Sequence, residues 1–386
     1  MEPPDGMEAA DADLPGGAAR MKYRLTCLTP TLIGDGQKLA PIDYMVWKDH
    51  VNVLDQRRIF RLLAKGPRLD GYLAQLKKAE KLDFASWGGF AQNFAGRRIP
   101  FEHSSAIPFW ERARAENLFI PTFAVSPSGP YLPGTAIKGA LRTGAVFERW
   151  SEATMRDLAA RLADDRLPRN PAAKAEDAVL GGAGHSRMRR VSAADSAPIT
   201  HSTMQVYLLR VATLVARGPK FELGWKSPRG SVDSRHLEEA TPIFAEMAAP
   251  GTAFLGEWRE KSAQDRGKLF QASNKHASAL IAKQKDYAAI AGLPYLGATL
   301  AALEGRAGEI GERSDVCLLS IGWGGGLLAK SAYLNTQDES YRRILRHVPL
   351  YQKAIESGLP FPKTRRILFQ QNQPASLPGW VMLEVA

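Results

Sequence analysis

The chain of 386 residues is long enough for two domains of ordinary size, and 45% of its residues are hydrophobic, as in proteins that bury a core. It holds 51 Lys and Arg against 40 Asp and Glu, a formal charge of +11, and residues 1 to 20 contain five of the acids and one base. The other 50 basic and 35 acidic residues leave a body of charge +15, which favours a polyanionic partner, nucleic acid before a membrane surface.

The cysteine content and the hydrophobic pattern of the sequence exclude several classes of protein. Cys27 and Cys317 each lie in an apolar run and no Cys/His cluster has zinc spacing, so we expect no disulfide, no metal and no cofactor. Residues 1 to 20 lack the pattern of a secretory signal, and no stretch reaches the roughly 20 apolar residues of a membrane span. We expect a cytoplasmic protein whose residues 1 to 20, rich in Pro, Gly, Ala and acids, form a disordered tail.

The first predicted unit comprises residues 21 to 200. MKYRLTCLTPTLIGDG (21–36) predicts a strand that ends at the Gly34–Gly36 turn, and DYMVWKDHVNVLD (43–55) predicts a hairpin. Asp55 can cap a helix through QRRIFRLLAKG. Residues 163 to 198 show no clear periodicity and are expected to be mobile. Strand, hairpin and helix in this order are typical of an α+β domain.

The second predicted unit comprises residues 201 to 386. MQVYLLRVATLVA, from Met204, and GTAFLGEWR predict strands, and SNKHASALIAKQKDYAAIAG (273–292) predicts a helix. DVCLLSIGWGGG predicts a buried strand that runs into glycines. TRRILF and GWVMLEV predict short strands, the second as a closing edge. The two units therefore share a coarse order of strand, helix and strand.

The stretch YLPGTAIKGALRTG (131–144) predicts a turn and a helix that can bind an anion. Thr135 is the expected N-cap, and apolar residues recur every four positions on the other face. Lys138 and Arg142 lie one turn apart, which costs roughly a few tenths of a kcal/mol unless an anion or solvent compensates. The helix N-terminus adds free N–H groups, and Gly134 permits close backbone approach. One or two phosphates fit this segment, and a solvated basic face is the alternative.

A second anion-binding element is the glycine run in SIGWGGGLLAKS (320–331). Such a loop can lay N–H groups along phosphates while Trp323 stacks on a base. Its candidate binding residues are Gly322, Trp323, Gly324, Gly325, Gly326 and Lys330. A tight turn with Trp323 in the core is the alternative. The run also nearly matches the nucleotide-triphosphate motif GxxxxGK[ST], but Ala329 stands in place of its second glycine, so ATP or GTP binding is a minor alternative.

A third basic element is YRRILRHVPLYQKAIESGLPFPKTRRIL (341–368). It holds seven Lys or Arg and one acid, with aromatic residues between them, as in nucleic-acid-binding patches. Its candidate binding residues are Lys363, Arg365 and Arg366.

These three stretches, in this order, resemble the RAMP superfamily of CRISPR proteins, and in particular the fifth-subunit family of type III-A (Csm) effector complexes. YLPGTAIKGALRT is similar to the signature Pro-Gly, two small residues, Lys-Gly and a later Arg. VSAADSAPI (191–199) is similar to a Ser-Asp-Ser-x-Pro-Ile element, from which it departs by the inserted Ala193 and Ala194. GWGGG and PKTRR are similar to the closing loop and strand. The resemblance covers residues 21 to 386.

The resemblance implies two ferredoxin-like (RNA-recognition-motif-like) domains with insertions, and one copy at the end of a filament of backbone subunits. It implies non-catalytic binding of the 3′ portion of the CRISPR RNA and support of guide maturation, with host nucleases that trim the guide. The implied protein partners are other type III-A subunits, above all the repeated backbone RAMP subunit. By the same analogy Gly134, Thr135, Lys138 and Arg142 hold guide phosphates, and the glycine loop with Trp323 faces RNA or the adjoining subunit.

Catalytic residues are not evident. Nuclease chemistry needs a metal held by carboxylates or a positioned acid and base. Asp35 and Asp43 lie on early loops, where backbone relatives keep a target-cleaving aspartate, and His50 and His185 sit in polar settings that suit a repeat-processing ribonuclease. Loop aspartates are more often turn formers, and Asp195 is expected to be a structural turn or cap. We therefore expect no enzyme activity, with a RAMP endoribonuclease of repeat or target RNA and a nucleotide-binding protein as alternatives.

Overall fold

The computed structural model describes residues 19–66, 68–78, 93–162, 172–182, 185–228 and 233–386. Their strands are β1 (Ala19–Cys27), β2 (Lys38–Leu39), β3 (Tyr44–Trp47), β4 (His50–Leu54), β5 (Ala95–Pro100), β6 (Ile120–Pro121), β7 (Val125–Ser126), β8 (Gly129–Pro130), β9 (Val191–Ala193), β10 (Met204–Arg217), β11 (Lys220–Trp225), β12 (Ile243–Ala248), β13 (Ala253–Glu260), β14 (Val316–Ser320), β15 (Thr364–Gln370), β16 (Gln373–Ser376) and β17 (Trp380–Val385). Their helices are α1 (Gln56–Leu63), α2 (Arg68–Lys78), α3 (Ile107–Arg112), α4 (Gly134–Phe147), α5 (Glu152–Arg161), α6 (Ala173–Leu180), α7 (Ala263–Ala291), α8 (Pro294–Ile310), α9 (Glu339–Arg346) and α10 (Pro349–Glu356).

The first sheet joins the two ends of the chain. Its antiparallel strands follow the order β14, β17, β1, β13, β9. Strand β17 was expected at a closing edge, and that prediction is wrong: it hydrogen bonds to β14 on one side and to β1 on the other. Strand β1 alternates buried Tyr23 and Leu25 with exposed Arg24, because one face of the sheet meets the core. Since β1 pairs with β13 and β17, strand pairing crosses the expected boundary at residue 200, and the division into domains 21–200 and 201–386 stays a prediction.

The second sheet is built on β10, which confirms the strand predicted from Met204. Along one edge β10 pairs first with β12 and then with β11, and along its other edge it pairs with β15, to which β16 is added. The nearly continuous apolar run of β10 fits this position, because neighbours cover the strand on both edges and core side chains lie against it. A smaller sheet of β3, β4 and β5 contains the predicted hairpin.

Helix α7 connects the cores of both sheets. The side chain of Ser262 accepts a hydrogen bond of 3.2 Å from the N–H of Asp265, and Gly292 ends the helix with φ 64°. Phe270 packs edge-on against Trp258, with ring centroids 5.7 Å apart. Both lie in a hydrophobic cluster that contains most buried residues of the first sheet, which we call the cluster of the first sheet, whereas Leu280 lies in a separate cluster that contains Leu208 and Phe369 of the second sheet. The predicted helix 273–292 is therefore confirmed and extends N-terminally to Ala263.

Three further predictions concern the Asp55 cap, the end of the first strand and residues 163 to 198. The Asp55 carboxylate caps α1, as predicted, by accepting the Arg58 N–H at 3.0 Å. The first strand stops at Cys27 rather than at the glycine turn, because Pro30 has no N–H for the strand ladder. Residues 163 to 198 were expected to be mobile, and this stays a prediction. The structure forms α6 and β9 within this range, and 163–171 and 183–184 lie outside the described residues.

The expected disordered tail of residues 1 to 20 overlaps β1. Residues 1 to 18 lie outside the described residues. Ala19 and Arg20 pair with Glu260 and Arg259 of β13, so the boundary of the predicted tail is wrong by these two positions.

Candidate nucleic-acid interface

Helix α4 contains the predicted basic segment, and its apolar face packs against the hydrophobic core. Ile137 and Leu141 are buried in the cluster of the first sheet, as their spacing predicted. Pro133, not Thr135, is the N-cap residue, and no side chain of the cap position bonds to the helix. The prediction of Thr135 as the N-cap is therefore wrong: the helix starts at Gly134, two residues earlier than this cap implies, and Thr135 is exposed on its first turn.

The N-terminus of α4 is closed by an acid from a distant segment. The Gly134 N–H donates to Asp195 Oδ1 at 2.8 Å, and the Leu132 N–H donates to Ser196 Oγ at 2.9 Å. A Cβ on Gly134 would lie 2.1 Å from the Ala193 carbonyl oxygen, so only glycine fits here. The structural role expected for Asp195 is confirmed. The backbone N–H of Gly134, predicted to hold a guide phosphate, already has an anionic partner.

The two basic residues of α4 differ in their surroundings. Both oxygens of the Glu176 carboxylate, on α6, accept hydrogen bonds from the Arg142 guanidinium. This pair is part-exposed and contributes at most about 1 kcal/mol, so a phosphate can compete with it. Lys138 is half-buried and forms no ion pair with any described residue. Lys138 is thus the more available of the two cations.

The glycine loop follows β14, as predicted, and several of its glycines serve the packing of the backbone. Gly322 and Gly324 have φ of 75° and 98°, a region that side-chain-bearing residues rarely adopt. A Cβ on Gly322 would lie 2.2 Å from the Leu32 carbonyl oxygen, and one on Gly324 would lie 2.5 Å from Cγ of Pro378. The Trp323 N–H donates to the same Leu32 oxygen at 2.7 Å. Gly326, by contrast, is exposed and has no neighbour that a Cβ would meet.

One open cavity of about 490 Å³ brings the predicted elements together. Its walls are the glycine loop with Trp323 and Lys330, the first turn of α4 at Ala136, and the loop Gly34–Lys38. We call it the loop cleft. Sequence reasoning missed Lys38, which is exposed on the cleft with its ammonium 4.4 Å from the centroid of the Phe119 ring. The glycine-flanked GDGQK turn is the sequence signal from which Lys38 could have been identified.

Trp323 and Arg366 form a stacked pair beside this cleft. The Arg366 guanidinium lies 5.0 Å from the centroid of the Trp323 ring, and Trp323 is half-buried against the core of the first sheet. Trp323 is therefore neither a fully buried core residue nor a ring that is free to stack on both faces. Part of its side chain packs against the core, and the exposed Arg366 guanidinium lies over one face of the ring. Arg366 also lines a second cavity, of about 300 Å³, on the other side of the glycine loop with Gly325 and Gly326.

Arg365 serves the core rather than a surface. It is 8% exposed, and its guanidinium donates to the Pro362 and Thr364 carbonyl oxygens at 2.7 and 2.9 Å and to the side chain of Gln284. It also lies 4.3 Å from the centroid of the Tyr287 ring, and burial lowers the pKa of Arg365 to about 10. The assignment of Arg365 as an RNA contact is therefore wrong.

Lys363 is the remaining predicted cation of the closing strand region. It is half-buried, and its carbonyl oxygen accepts hydrogen bonds from the Leu214 N–H at 2.9 Å and from the Tyr287 hydroxyl at 3.3 Å. Its ammonium makes no ion pair within the ranges that the structure describes. Lys363 therefore stays a candidate contact for an anion.

The two aspartates considered for catalysis stabilise turns. Asp35 Oδ1 accepts the Gln37 N–H at 3.0 Å, and Asp43 Oδ2 accepts the Ala40 N–H at 2.7 Å. His50 Nδ1 is bonded to its neighbour Asp49 at 2.7 Å, and His185 is exposed. No three His, Cys, Asp or Glu side chains of the described ranges are grouped as metal ligands.

The nucleotide-triphosphate alternative lacks its structural context. That motif requires the loop to open directly into an α-helix whose N-terminus faces the phosphates. Here the glycines lead into a 3₁₀ turn at Leu328–Lys330, and the next helix, α9, starts only at Glu339. The near match to GxxxxGK[ST] is thus coincidental.

Comparisons with known proteins give one family and two structural likenesses. The family model of the RAMP superfamily matches residues 24–328. A chain from a cryo-EM structure of a Csm–crRNA–target RNA ternary complex of a type III-A CRISPR-Cas system aligns with TM-score 0.68 at 19% identity, covering 94% of this chain and 100% of that one. The crystal structure of T. onnurineus Csm5 aligns with TM-score 0.58 at 18% identity, over 93% and 99% of the two chains.

A comparison with curated proteins finds no significant match. No helix within the described ranges is long and apolar enough to cross a membrane. The two structural likenesses confirm the expected α+β class with two ferredoxin-like domains. With a family model that matches most of its length, the chain belongs to the RAMP superfamily.

Proposed function

We propose that this chain is a non-catalytic RNA-binding subunit of a type III-A (Csm) interference complex, which caps the backbone filament at the 3′ end of the guide. The observation that carries the proposal is the loop cleft. There, Lys38, Lys330 and the first turn of α4 surround one open cavity beside the Trp323–Arg366 pair. Cations that follow a backbone and an aromatic ring that can stack are the two components of single-strand binding.

The comparisons support the choice of complex. One matched structure contains CRISPR RNA and target RNA with Csm subunits, and the other is a Csm5. Both are covered almost completely by this chain, which supports a subunit of the same kind. The partners that follow are CRISPR RNA, the repeated backbone RAMP subunit and other type III-A subunits, with host nucleases trimming the guide in the cytoplasm.

The RNA contacts that we propose exclude buried groups. They comprise Lys38, Lys138, Gly326, Lys330, Lys363 and Arg366, with Trp323 as a stacking residue and Arg142 after release from Glu176. Gly322 and Gly324 are proposed to shape the loop, because their α-carbons lie against Leu32 and Pro378. A ribonuclease role has no support from Asp35 and Asp43, whose carboxylates accept hydrogen bonds within their own turns.

Two measurements test the proposal. The purified chain is expected to bind single-stranded RNA with an affinity that falls steeply between about 50 and 200 mM salt, and to leave that RNA intact with or without Mg²⁺. RNA cleavage that is lost in Asp35→Ala would place the chain among the cleaving subunits. In the complex purified from its native operon, loss of this subunit is expected to change guide length at the 3′ side, and unchanged guides would contradict the capping position.

A further inference from the structure

A further cleft, distinct from the two cavities described above, lies at the opposite end of α4 from the loop cleft. It has a volume of about 270 Å³ between the C-terminal ends of α4 and α6, the 3₁₀ turn Arg187–Arg190 and the first turns of α7. Leu180 and Leu269 with two alanines provide an apolar floor. Four cations line it: Arg149, Arg187, Arg190 and Lys268. We call it the rear cleft.

The acids of the rear cleft do not balance these cations. Asp265 accepts a hydrogen bond from Arg190 at 3.0 Å, and Glu148 pairs at 2.8 Å with Lys275, a residue outside the lining. Arg149, Arg187 and Lys268 make no ion pair with any residue that the structure describes. Three cations that have no ion pair among the described residues therefore line one cavity.

Helix ends account for only part of this arrangement. The carbonyl end of α4 favours a cation at Arg149. It does not account for Arg187, and Lys268 lies near the N-terminal end of α7, where the helix dipole is positive. Converging like charges repel each other, and an anion removes that repulsion. A cationic rim over an apolar floor suits a nucleotide, whose phosphate is charged and whose base has a flat face that can pack on apolar side chains.

We propose that the rear cleft is a second phosphate-binding subsite for single-stranded RNA, so that the RNA follows α4 from one cleft to the other. Ala136 lines the loop cleft and Ala145 lines the rear cleft, about 14 Å apart along the helix axis at 1.5 Å per residue. Lys138 and Arg142 lie between them on the same helix. The subsite rests on the RNA-binding role proposed above and extends it to a defined path.

The test compares two double variants that each remove two exposed cations. Arg187→Ala with Lys268→Ala alters the rear cleft, and Lys220→Ala with Lys283→Ala is the control, since Lys283 lies on the same helix as Lys268. Binding of oligouridines of about 4 to 16 nucleotides is measured over a salt series. For the longest oligomer the rear-cleft variant is expected to lower the slope of log affinity against log salt by roughly 1.4, at about 0.7 per phosphate contact. With the shortest oligomer that binds, the rear-cleft variant is expected to keep the wild-type slope. The control variant is expected to keep the wild-type slope with every oligomer.

The outcomes separate this subsite from the proposed function. Wild-type binding with an unchanged slope in the rear-cleft variant, at every length, would overturn the subsite and leave the RNA-binding role intact. An equal change for the shortest oligomer would overturn the extended path. Loss of copurifying subunits with an unchanged RNA slope would assign the rear cleft to an acidic protein partner instead. A wild-type chain that binds no oligouridine would overturn both proposals.

Discussion

The carboxylate of Asp195 accepts a 2.8 Å hydrogen bond from the backbone N–H of Gly134 and so closes the N-terminus of α4. The same segment holds Tyr23, whose hydroxyl donates to the Ala194 carbonyl at 2.9 Å, and burial together with the Asp195 charge raises the pKa of Tyr23. An acid therefore occupies the place where helix geometry alone suggested a phosphate. In the RNA-binding role proposed above, phosphates are therefore expected to contact basic side chains and the glycine loop instead.

Asp195→Ala is expected to reduce the free energy of unfolding by about 0.5–2 kcal/mol, because a helix N-terminal N–H loses its acceptor. Asp195→Asn is the control and should retain most of the stability, since the amide oxygen can accept the same bond. Urea unfolding measures both, and an alanine variant as stable as wild type would contradict the role of the cap. A gain in RNA affinity in Asp195→Ala would indicate that phosphate competes for this helix end.

Lys138→Ala is expected to lower the salt slope of RNA binding by about 0.7, the value for one phosphate contact on a single strand. Arg142→Ala should lower it less, because Glu176 already neutralises the guanidinium. Glu176→Gln releases Arg142 and should increase the slope. Fluorescence anisotropy over a salt series measures all three variants. Equal effects of the Lys138 and Arg142 changes would show that the Arg142–Glu176 pair does not persist in solution.

Arg365→Ala is expected to destabilise the fold, since each buried acceptor left unpaired costs about 1–3 kcal/mol and three acceptors lose this donor. Arg366→Ala, one position along β15, is the matched comparison: it removes an exposed cation and should lower the RNA salt slope with little change in melting temperature. The prediction fails if Arg366→Ala is the more destabilising of the two.

Trp323→Ala is expected to weaken RNA binding by about 1–3 kcal/mol without a change in salt slope, as for an aromatic ring that stacks on a base. Because Trp323 also packs against the core, some loss of stability should accompany it. Trp323→Phe keeps an aromatic face and serves as the control for stacking. Binding and melting are measured on the same samples. Full RNA affinity in a folded Trp323→Ala variant would restrict the ring to a packing role.

Stability is expected to fall on acidification in part through His276. This buried side chain donates from Nε2 to the Ser331 carbonyl at 2.9 Å, just after the glycine loop, and burial holds the pKa of His276 below its usual value of about 6.5. The folded state then binds fewer protons than the unfolded state, so stability is present above pH 6.5 and is lost as the pH falls below it, by up to about 1.4 kcal/mol per pH unit.

His276→Gln keeps a donor for Ser331 and removes the titration, so its melting temperature should change less between about pH 7.5 and 5.5 than that of wild type. The exposed His236→Gln is the control and should follow wild type. Part of the pH dependence should survive in His276→Gln, because burial and the nearby Arg97 also lower the pKa of His201. Identical pH profiles for wild type and His276→Gln would contradict this account.

Local sequence signals predicted the longest of the described helices and strands correctly. Helix α7 and strand β10 were predicted because one has a long periodic pattern with a terminal glycine and the other a long apolar run. The Asp55 cap was predicted because the residues of a helix cap lie within four positions of each other. The glycine loop was also predicted from a local signal, because its glycines come directly after a buried strand in the sequence.

The sequence by itself thus determined the α+β class, the longest of the described helices and strands, and the basic, glycine-rich segments that resemble those of the RAMP superfamily. Only the tertiary structure decided which cations are available, because this depends on partners far apart in the chain. Gln284 and two carbonyls bind Arg365 inside the core, and Glu176 pairs with Arg142 on the surface. Lys38 joins Trp323 in one cleft because the Leu32 carbonyl holds the glycine loop, a contact that spans most of the sequence and leaves no local pattern to find.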